Sequence, residues 1–213
     1  MSDLPAPALS RLDFMAARLM RNDGRIARMS IPQGNLLADL DSRHVALIGN
    51  ARSLAQASHG PAIDAADLVV RINRAPMPAS ASHGSRTDWL ALATRLPDAD
   101  RARLDPDRIL WMSPKRKRLD WRTASGAGFY LHPQTDYEAL RGRLSAPPTT
   151  GAMMIDLLLR GPLASLTLYG FDFFASLSLS GRRTAADVPH DFSAEGAWVD
   201  DLLHSDSRLT LVR

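Results

Sequence analysis

Residues 45–89, VALIGNARSLAQASHGPAIDAADLVVRINRAPMPASASHGSRTDW, read as strand, turn, helix, strand, turn. Val45–Gly49 is a short apolar run closed by Gly49-Asn50, and Asp67–Asn73 is a second, closed by Asn73. Short apolar, β-branched runs separated by helical patterns are the mark of parallel strands joined by crossover helices. In open α/β sheets, ligands sit in the crevice beyond the carboxyl ends of the strands. Asn50 and Asn73 stand there, and each neutral amide offers a donor and an acceptor to a base, a ribose or a phosphate. The expectation is a nucleotide site. A helix expected over 51–58 would place N–H groups beside Gly49-Asn50 as an anion site. The further glycines of a G-x-G-x-x-G dinucleotide fingerprint are missing.

Outward from this stretch the same alternation continues. Strands are expected over 45–49, 67–72, 88–93, 108–113, 127–131, 164–170 and 208–212, and helices over 51–58, 97–104, 134–144, 151–160 and 194–204. This predicts an α/β domain over 44–213, a mainly parallel, Rossmann-like sheet of about seven strands flanked by helices. Residues 1–43 are expected to be an N-terminal helix and linker. Leu9–Arg21 carries Leu9, Leu12, Met15, Ala16 and Leu19 at helical spacing with arginines between them. We read it as a helix packed on the domain, the alternative being an amphipathic helix on an acidic membrane surface. Arg25–Asp41 reads as a linker with a short helix. The polar stretch 177–188, with SLSGRRTAAD at its heart, reads as a mobile loop of the kind that closes over ligands.

Composition sets the outer bounds. The 213 residues are 45% hydrophobic and 23% charged, ordinary globular usage that argues against disorder. A net charge of +3 does not by itself imply nucleic acid, and no nucleic-acid partner is expected. With no cysteine there is no disulfide and no thiolate chemistry, which suits a reducing cytoplasm. No apolar run approaches the ~20 residues that span a bilayer, and the first residues lack a secretory signal pattern. A cytoplasmic protein, with membrane association through peripheral contact, is the resulting expectation.

Several pieces of the chain resemble the sialylmotifs of the eukaryotic-type sialyltransferases, glycosyltransferase family 29. The long motif is carried by hydrophobic-Gly49-Asn50, Gly60-Pro61-x-Ile63-Asp64, Asp67-x-Val69-Val70-Arg71-x-Asn73-x-Ala75-Pro76 and Gly84-Ser85-Arg86-Thr87, in the family's order and close to its spacing. Pro148-Thr149-Thr150-Gly151, followed by an apolar run and Leu168-Tyr169-Gly170-Phe171, resembles the short motif. His190 and Glu195, with four residues between them, resemble the very short one. The chain departs from the animal members in lacking their membrane anchor and the cysteines that join the long and short motifs. Val45 stands where one cysteine is expected, and the other falls near Gly161-Pro162.

The resemblance implies a GT-A-variant fold and an inverting, metal-independent glycosyltransferase. It would move sialic acid or a related 2-keto sugar acid (Kdo) from a CMP-activated donor to a hydroxyl of a glycan or lipid-linked saccharide, in a bacterial setting, with no cofactor. It places Gly49, Asn50 and Asn73 on the CMP, and Thr149, Thr150 and Gly151 on the donor carboxylate and nucleotide. The threonine would also cap the helix that follows. His190 matches the catalytic base, imidazole being the side chain that takes a proton near neutral pH. Glu195, in a first helical turn, reads as support for the dipole and the loop rather than as chemistry.

The family's further histidine, upstream of the catalytic one, has no counterpart between Phe174 and Pro189. Arg182 and Arg183 lie there as alternative phosphate contacts, or as plain solvated arginines. Lys115-Arg116-Lys117-Arg118, with Trp121 and Arg122, is the dense basic cluster; it is expected at the ligand-bearing edge, where it would attract an acidic donor, an anionic glycan or anionic lipid. His44, His59, His83, His132 and His204 show no metal-ligand spacing, and Asp39-x-Asp41 and Asp105-x-Asp107 read as loop carboxylates. Two other readings remain: a degenerate CMP-sugar-binding protein without transfer, and an anion- or membrane-binding protein on the same fold.

Overall fold

The computed structural model describes residues 9–172 and 190–212. All seven expected strands are present: β1 (His44–Ile48), β2 (Leu68–Ile72), β3 (Trp89–Leu92), β4 (Arg108–Trp111), β5 (Tyr130–Leu131), β6 (Ser165–Tyr169) and β7 (Leu209–Val212). They form one sheet in the order β5-β4-β3-β2-β1-β6-β7, parallel at every pairing. The chain lays β1 in the middle, works outward to β5, then crosses back to place β6 on the other side of β1. The order therefore reverses between β1 and β6, and that reversal point is where such sheets open a crevice at their carboxyl edge.

Both faces are covered because both sets of alternating strand residues are apolar. Val45, Leu47, Leu68, Val70, Leu166 and Leu168 join one core with the helices Gln134–Leu144, Thr150–Leu159 and Phe192–Ser205. On the other face, Leu90, Leu92, Ile109 and Trp111 pack with Phe14, Ala17 and Ile26, while Ala46, Ile48 and Val69 pack with Leu54 and Ile63. Every residue from Thr150 to Leu158 is buried, as befits a helix that is apolar all round. Its one acid, Asp156, is paired with Arg143 and Arg160, and Arg160 also reaches Asp136. These pairs lock the two central helices of that layer together.

Three segments of the N-terminal part differ from the sequence expectation. The single helix expected over 51–58 is a 3-10 turn, Arg52–Gln56, followed by a separate α-helix, Gly60–Asp64. Pro61 fits the first turn of a new helix and not the interior of an old one, so it splits the segment. The Arg25–Asp41 linker contains the short helices Asp23–Ala27 and Gln33–Ala38, anchored by buried Ile26 and Leu36. The N-terminal helix, Arg11–Leu19, packs through Phe14 and Ala17 and leaves Leu12, Met15 and Leu19 in solvent, so the stripe expected to pack points outward. Phe14 wins the inward position because it meets Trp121, with ring centroids 5.7 Å apart. The 177–188 loop lies outside the described residues.

Much of the long-motif stretch is spent on holding itself together. The Asp64 carboxylate accepts hydrogen bonds from Ser85 N–H, Ser85 Oγ and Arg86 N–H. Burial raises its pKa, but these donors outweigh it and hold the group below the usual carboxylate range. Gly84 has φ +68°, and a Cβ there would lie 2.4 Å from Asp64 Oδ1, so the loop comes this close only with glycine. Arg71, on β2, is buried and donates to the carbonyls of Arg86 and His83 and to Thr87 Oγ1. Burial pushes its pKa down to about 10, so it stays charged at neutral pH.

Gly49 ends β1 against Gly170 at the end of β6, and a Cβ on Gly49 would lie 2.2 Å from the Gly170 carbonyl oxygen. Gly49→Ala should therefore destabilise the fold by about 1–3 kcal/mol through overpacking. Gly142, in the Gln134–Leu144 helix with nothing within 4 Å of a built Cβ, is the control. Gly142→Ala should be neutral or stabilising by up to ~1 kcal/mol. Urea denaturation of the two variants checks both signs.

Candidate active site

The carboxyl ends of β1, β2 and β6 supply one wall of the site. Asn50 follows β1, and its Nδ2 lies 3.4 Å from the carbonyl oxygen of Ile72, the last residue of β2. Asn73 follows at once with a left-handed backbone, φ 54°, a conformation asparagine tolerates better than most residues. Its Oδ1 accepts from Ala93 N–H at 3.2 Å, which fixes the side chain and leaves the amide donors to face a ligand. Both amides are partly exposed. The helix expected to start after Asn50 is instead a 3-10 turn whose start has no side-chain cap.

Phe171 joins the second wall to the first. A Cβ on Gly49 would lie 3.1 Å from Phe171 Cδ2, and a Cβ on Gly151 would lie 2.7 Å from Phe171 Cε1. One ring thus separates the turn after β1 from the start of the Thr150–Leu159 helix, and both glycines are needed for so close an approach. The sequence carried Phe171 within a motif but gave no sign of this wedge. Thr149 caps the helix, its Oγ1 accepting from Ala152 N–H at 3.1 Å. The N–H groups of Thr150 and Gly151, in the first turn, have no acceptor within the helix and make a natural anion site.

The third wall comes from the far end of the chain. Asp191 caps the Phe192–Ser205 helix, accepting from Ala194 N–H at 2.9 Å, and Glu195 lies in its first turn. Glu195 is buried, and its carboxylate accepts from Thr149 N–H at 2.6 Å and from Thr149 Oγ1–H at 2.8 Å. His190, just before the helix, has Nδ1 2.7 Å from the Pro147 carbonyl oxygen. A carbonyl only accepts, so Nδ1 carries a proton, and in the neutral imidazole the lone pair is then on Nε2. Two contacts, to residues 147 and 149, therefore fasten the His190 region onto the Thr149–Gly151 segment.

Gly49, Asn50, Asn73, Thr149, Thr150, Gly151, His190 and Glu195 are thereby linked through direct contacts into one neighbourhood. Arg182 and Arg183 lie outside the described residues. The basic cluster emerges after β4 at the same carboxyl edge, but Arg116 is not one of its solvated members. It is buried, pairs with Asp23 at 3.0 Å and donates to the carbonyls of Ser113 and His132. Asp39 is likewise engaged, with Arg108, and Asp105 ends a helix in left-handed geometry. Among the described residues no three His, Asp or Glu side chains converge as a metal-ligand set.

Residues 26–107 match the sequence profile of glycosyltransferase family 29 (sialyltransferase). Over that span, the chain is similar to the family 29 glycosyltransferases. The matched stretch contains Gly49, Asn50 and Asn73, and with them the Asp64 clip. No curated protein matches the chain in sequence. Among solved structures, a mammalian sialyltransferase in complex with Gal-β-1-3GalNAc-ortho-nitrophenol is similar at 18% identity and a TM-score of 0.58, over 97% of this chain and 87% of that one. The sialyltransferase CstII from Campylobacter jejuni, in complex with the substrate analogue CMP-3FNeuAc, is similar at 11% identity and a TM-score of 0.53, over 79% of this chain and 81% of that one. These likenesses are of fold: one parallel seven-stranded sheet between helices. Among the described residues, no helix is long and apolar enough to cross a membrane.

Burial pushes the Glu195 carboxyl up from 4.5 to about 7, against the lowering effect of its two bonds from Thr149. A carboxyl whose pKa rises on folding contributes stability that is present below its unfolded value and lost as pH rises through its folded one. Wild type should therefore lose stability between about pH 4.5 and 7 relative to Glu195→Gln, which keeps an acceptor for Thr149 N–H and never ionises. The difference should reach the order of 3 kcal/mol. Denaturation of both proteins across that range tests it, and parallel curves would contradict the assignment.

Proposed function

We propose that this glycosyltransferase moves sialic acid, or the related 2-keto sugar acid Kdo, from a CMP-activated donor to a hydroxyl of a glycan or lipid-linked saccharide, with inversion and without a metal. The observation that supports the reading is the fastening of the His190 region to the Pro147–Gly151 segment, with His190 Nδ1–H donated to the Pro147 carbonyl oxygen and Glu195 holding Thr149.

In this mechanism the cytidine and ribose lie against Asn50 and Asn73 at the ends of β1 and β2. The donor's carboxylate takes the free N–H groups of Thr150 and Gly151, where the helix dipole favours negative charge. Nε2 of His190 removes the proton of the acceptor hydroxyl as its oxygen attacks the anomeric carbon. The bond from that carbon to the phosphate oxygen breaks, and CMP leaves with the electron pair. Direct attack inverts the anomeric centre. Positioning and charge stabilisation supply most of the rate in such a scheme. Arg182 and Arg183 are proposed as partners of the leaving phosphate. CMP-sialic acid and CMP-Kdo share the carboxylate and the nucleotide that these residues would touch, so the site is compatible with either.

CMP release from CMP-sialic acid and from CMP-Kdo, measured side by side, names the donor. One donor should release CMP with wild type, and His190→Ala should lose at least about 100-fold, the usual worth of a positioned base. Absence of release from both donors, with a bacterial glycan extract as acceptor, would instead favour a protein that binds the CMP-sugar without transferring it.

A further inference from the structure

The Arg11–Leu19 helix is apolar on two faces. One face is inside the protein, through Phe14 and Ala17. The other carries Leu12, Met15 and Leu19 at i, i+3 and i+7, continued by Met20. Their exposures are 80%, 47%, 84% and 61%, and they are the exposed large hydrophobic residues of the described chain. Scattered exposed apolar residues need no explanation, but the concentration of all four on one helical stripe does.

Charge identifies the occupant. Arg18, on the flank of this helix, donates to the Leu119 carbonyl at 2.8 Å and so fixes the helix against the Arg116–Arg118 turn. Arg18, Arg21, Lys115, Lys117 and Arg118 line one cleft beside the stripe. Of the cleft's acids and bases, Asp23 is already matched by Arg116, at 3.0 Å. Arg21, Lys115, Lys117 and Arg118 make no ion pair among the described residues and are exposed. An apolar stripe bordered by unmatched cations is the pattern of a surface that lies on an anionic bilayer, its leucines below the headgroups and its cations among them.

We infer that the Leu12/Met15/Leu19/Met20 stripe and the exposed cations Lys115, Lys117 and Arg118 form one docking surface for an anionic membrane. The cluster follows β4 and so lies at the carboxyl edge of the sheet, the edge that bears Asn50 and Asn73. Docking here brings that edge to the lipid surface. The inference stands on exposure and charge alone and does not depend on the donor or on catalysis.

Flotation of the full chain with phosphatidylcholine vesicles, with and without phosphatidylglycerol, tests it. The protein should float with the anionic vesicles and not with the neutral ones, and added salt should release it. Leu12→Glu with Leu19→Glu should weaken partitioning by about 100-fold, at about tenfold for each leucine lost. Lys115→Ala with Lys117→Ala and Arg118→Ala should weaken it by about 100-fold at low salt. Each altered side chain is exposed, and circular dichroism checks that both variants stay folded. No flotation with anionic vesicles, equal flotation with neutral ones, or indifference to either set of substitutions would overturn the inference. So would self-association that Leu12→Glu with Leu19→Glu abolishes, in the absence of vesicle binding, since a second copy would then be what covers the stripe.

Discussion

At the β1/β6 junction of the sheet two strand ends meet with no side chain between them. Gly49 closes β1, Gly170 closes β6, and the backbones approach so closely that any Cβ on Gly49 would strike the opposing carbonyl. This is the point where strand order reverses, the one place in an open parallel sheet where adjacent connections leave in opposite directions. Phe171 fills the space immediately beyond and sets the start of the Thr150–Leu159 helix against the turn after β1. The amides of Asn50 and Asn73 and the free N–H groups of that helix thereby share one crevice. In the proposed site, the asparagines at the strand ends would serve a nucleotide because this junction brings the start of that helix beside them.

The third wall rests on a buried carboxylate. Among the described residues no cation stands beside Glu195, and its stabilisation comes from the N–H and O–H of Thr149. A buried charge is tolerated when hydrogen-bonded, and the cost appears as a pKa lifted to about 7. In exchange the last helix is tied to a particular residue of the central one. The Pro147 carbonyl accepts from the imidazole and holds His190 against the segment that leads into that central helix. The tie also places a titrating group next to the proposed carboxylate subsite, so its proton bears on both stability and donor binding.

The fold was legible because each strand is a short apolar run that ends in a turn residue, and each of the long helices is marked by an apolar stripe or a cap. Seven strands were expected and seven are found, with boundaries shifted by a residue or two except at β5, where three expected residues belong to the turn before it. What escaped the sequence was long-range packing. The N-terminal helix has two apolar faces, and only the position of Trp121 and Leu119 decides that Phe14 goes inward. Arg116 looks like its three basic neighbours in sequence, yet it is the one that turns inward to bind two carbonyls and Asp23. The motif residues divide in the same way. Asp64, Arg71, Gly84, Ser85 and Thr87 hold the β2–β3 connection in place, whereas Asn50 and Asn73 face the crevice, and spacing alone does not separate the two groups.

The central claim is that the crevice at the β1/β6 reversal holds the nucleotide. A crystal structure of the chain with CMP, paired with calorimetric titration of CMP into wild type, Asn50→Ala and Asn73→Ala, tests it most directly. The account predicts cytidine and ribose against Asn50 and Asn73, the phosphate towards the start of the Thr150–Leu159 helix, and a loss of about tenfold or more in affinity for each alanine variant. CMP bound elsewhere on the chain, or affinity unchanged in both variants, would contradict it.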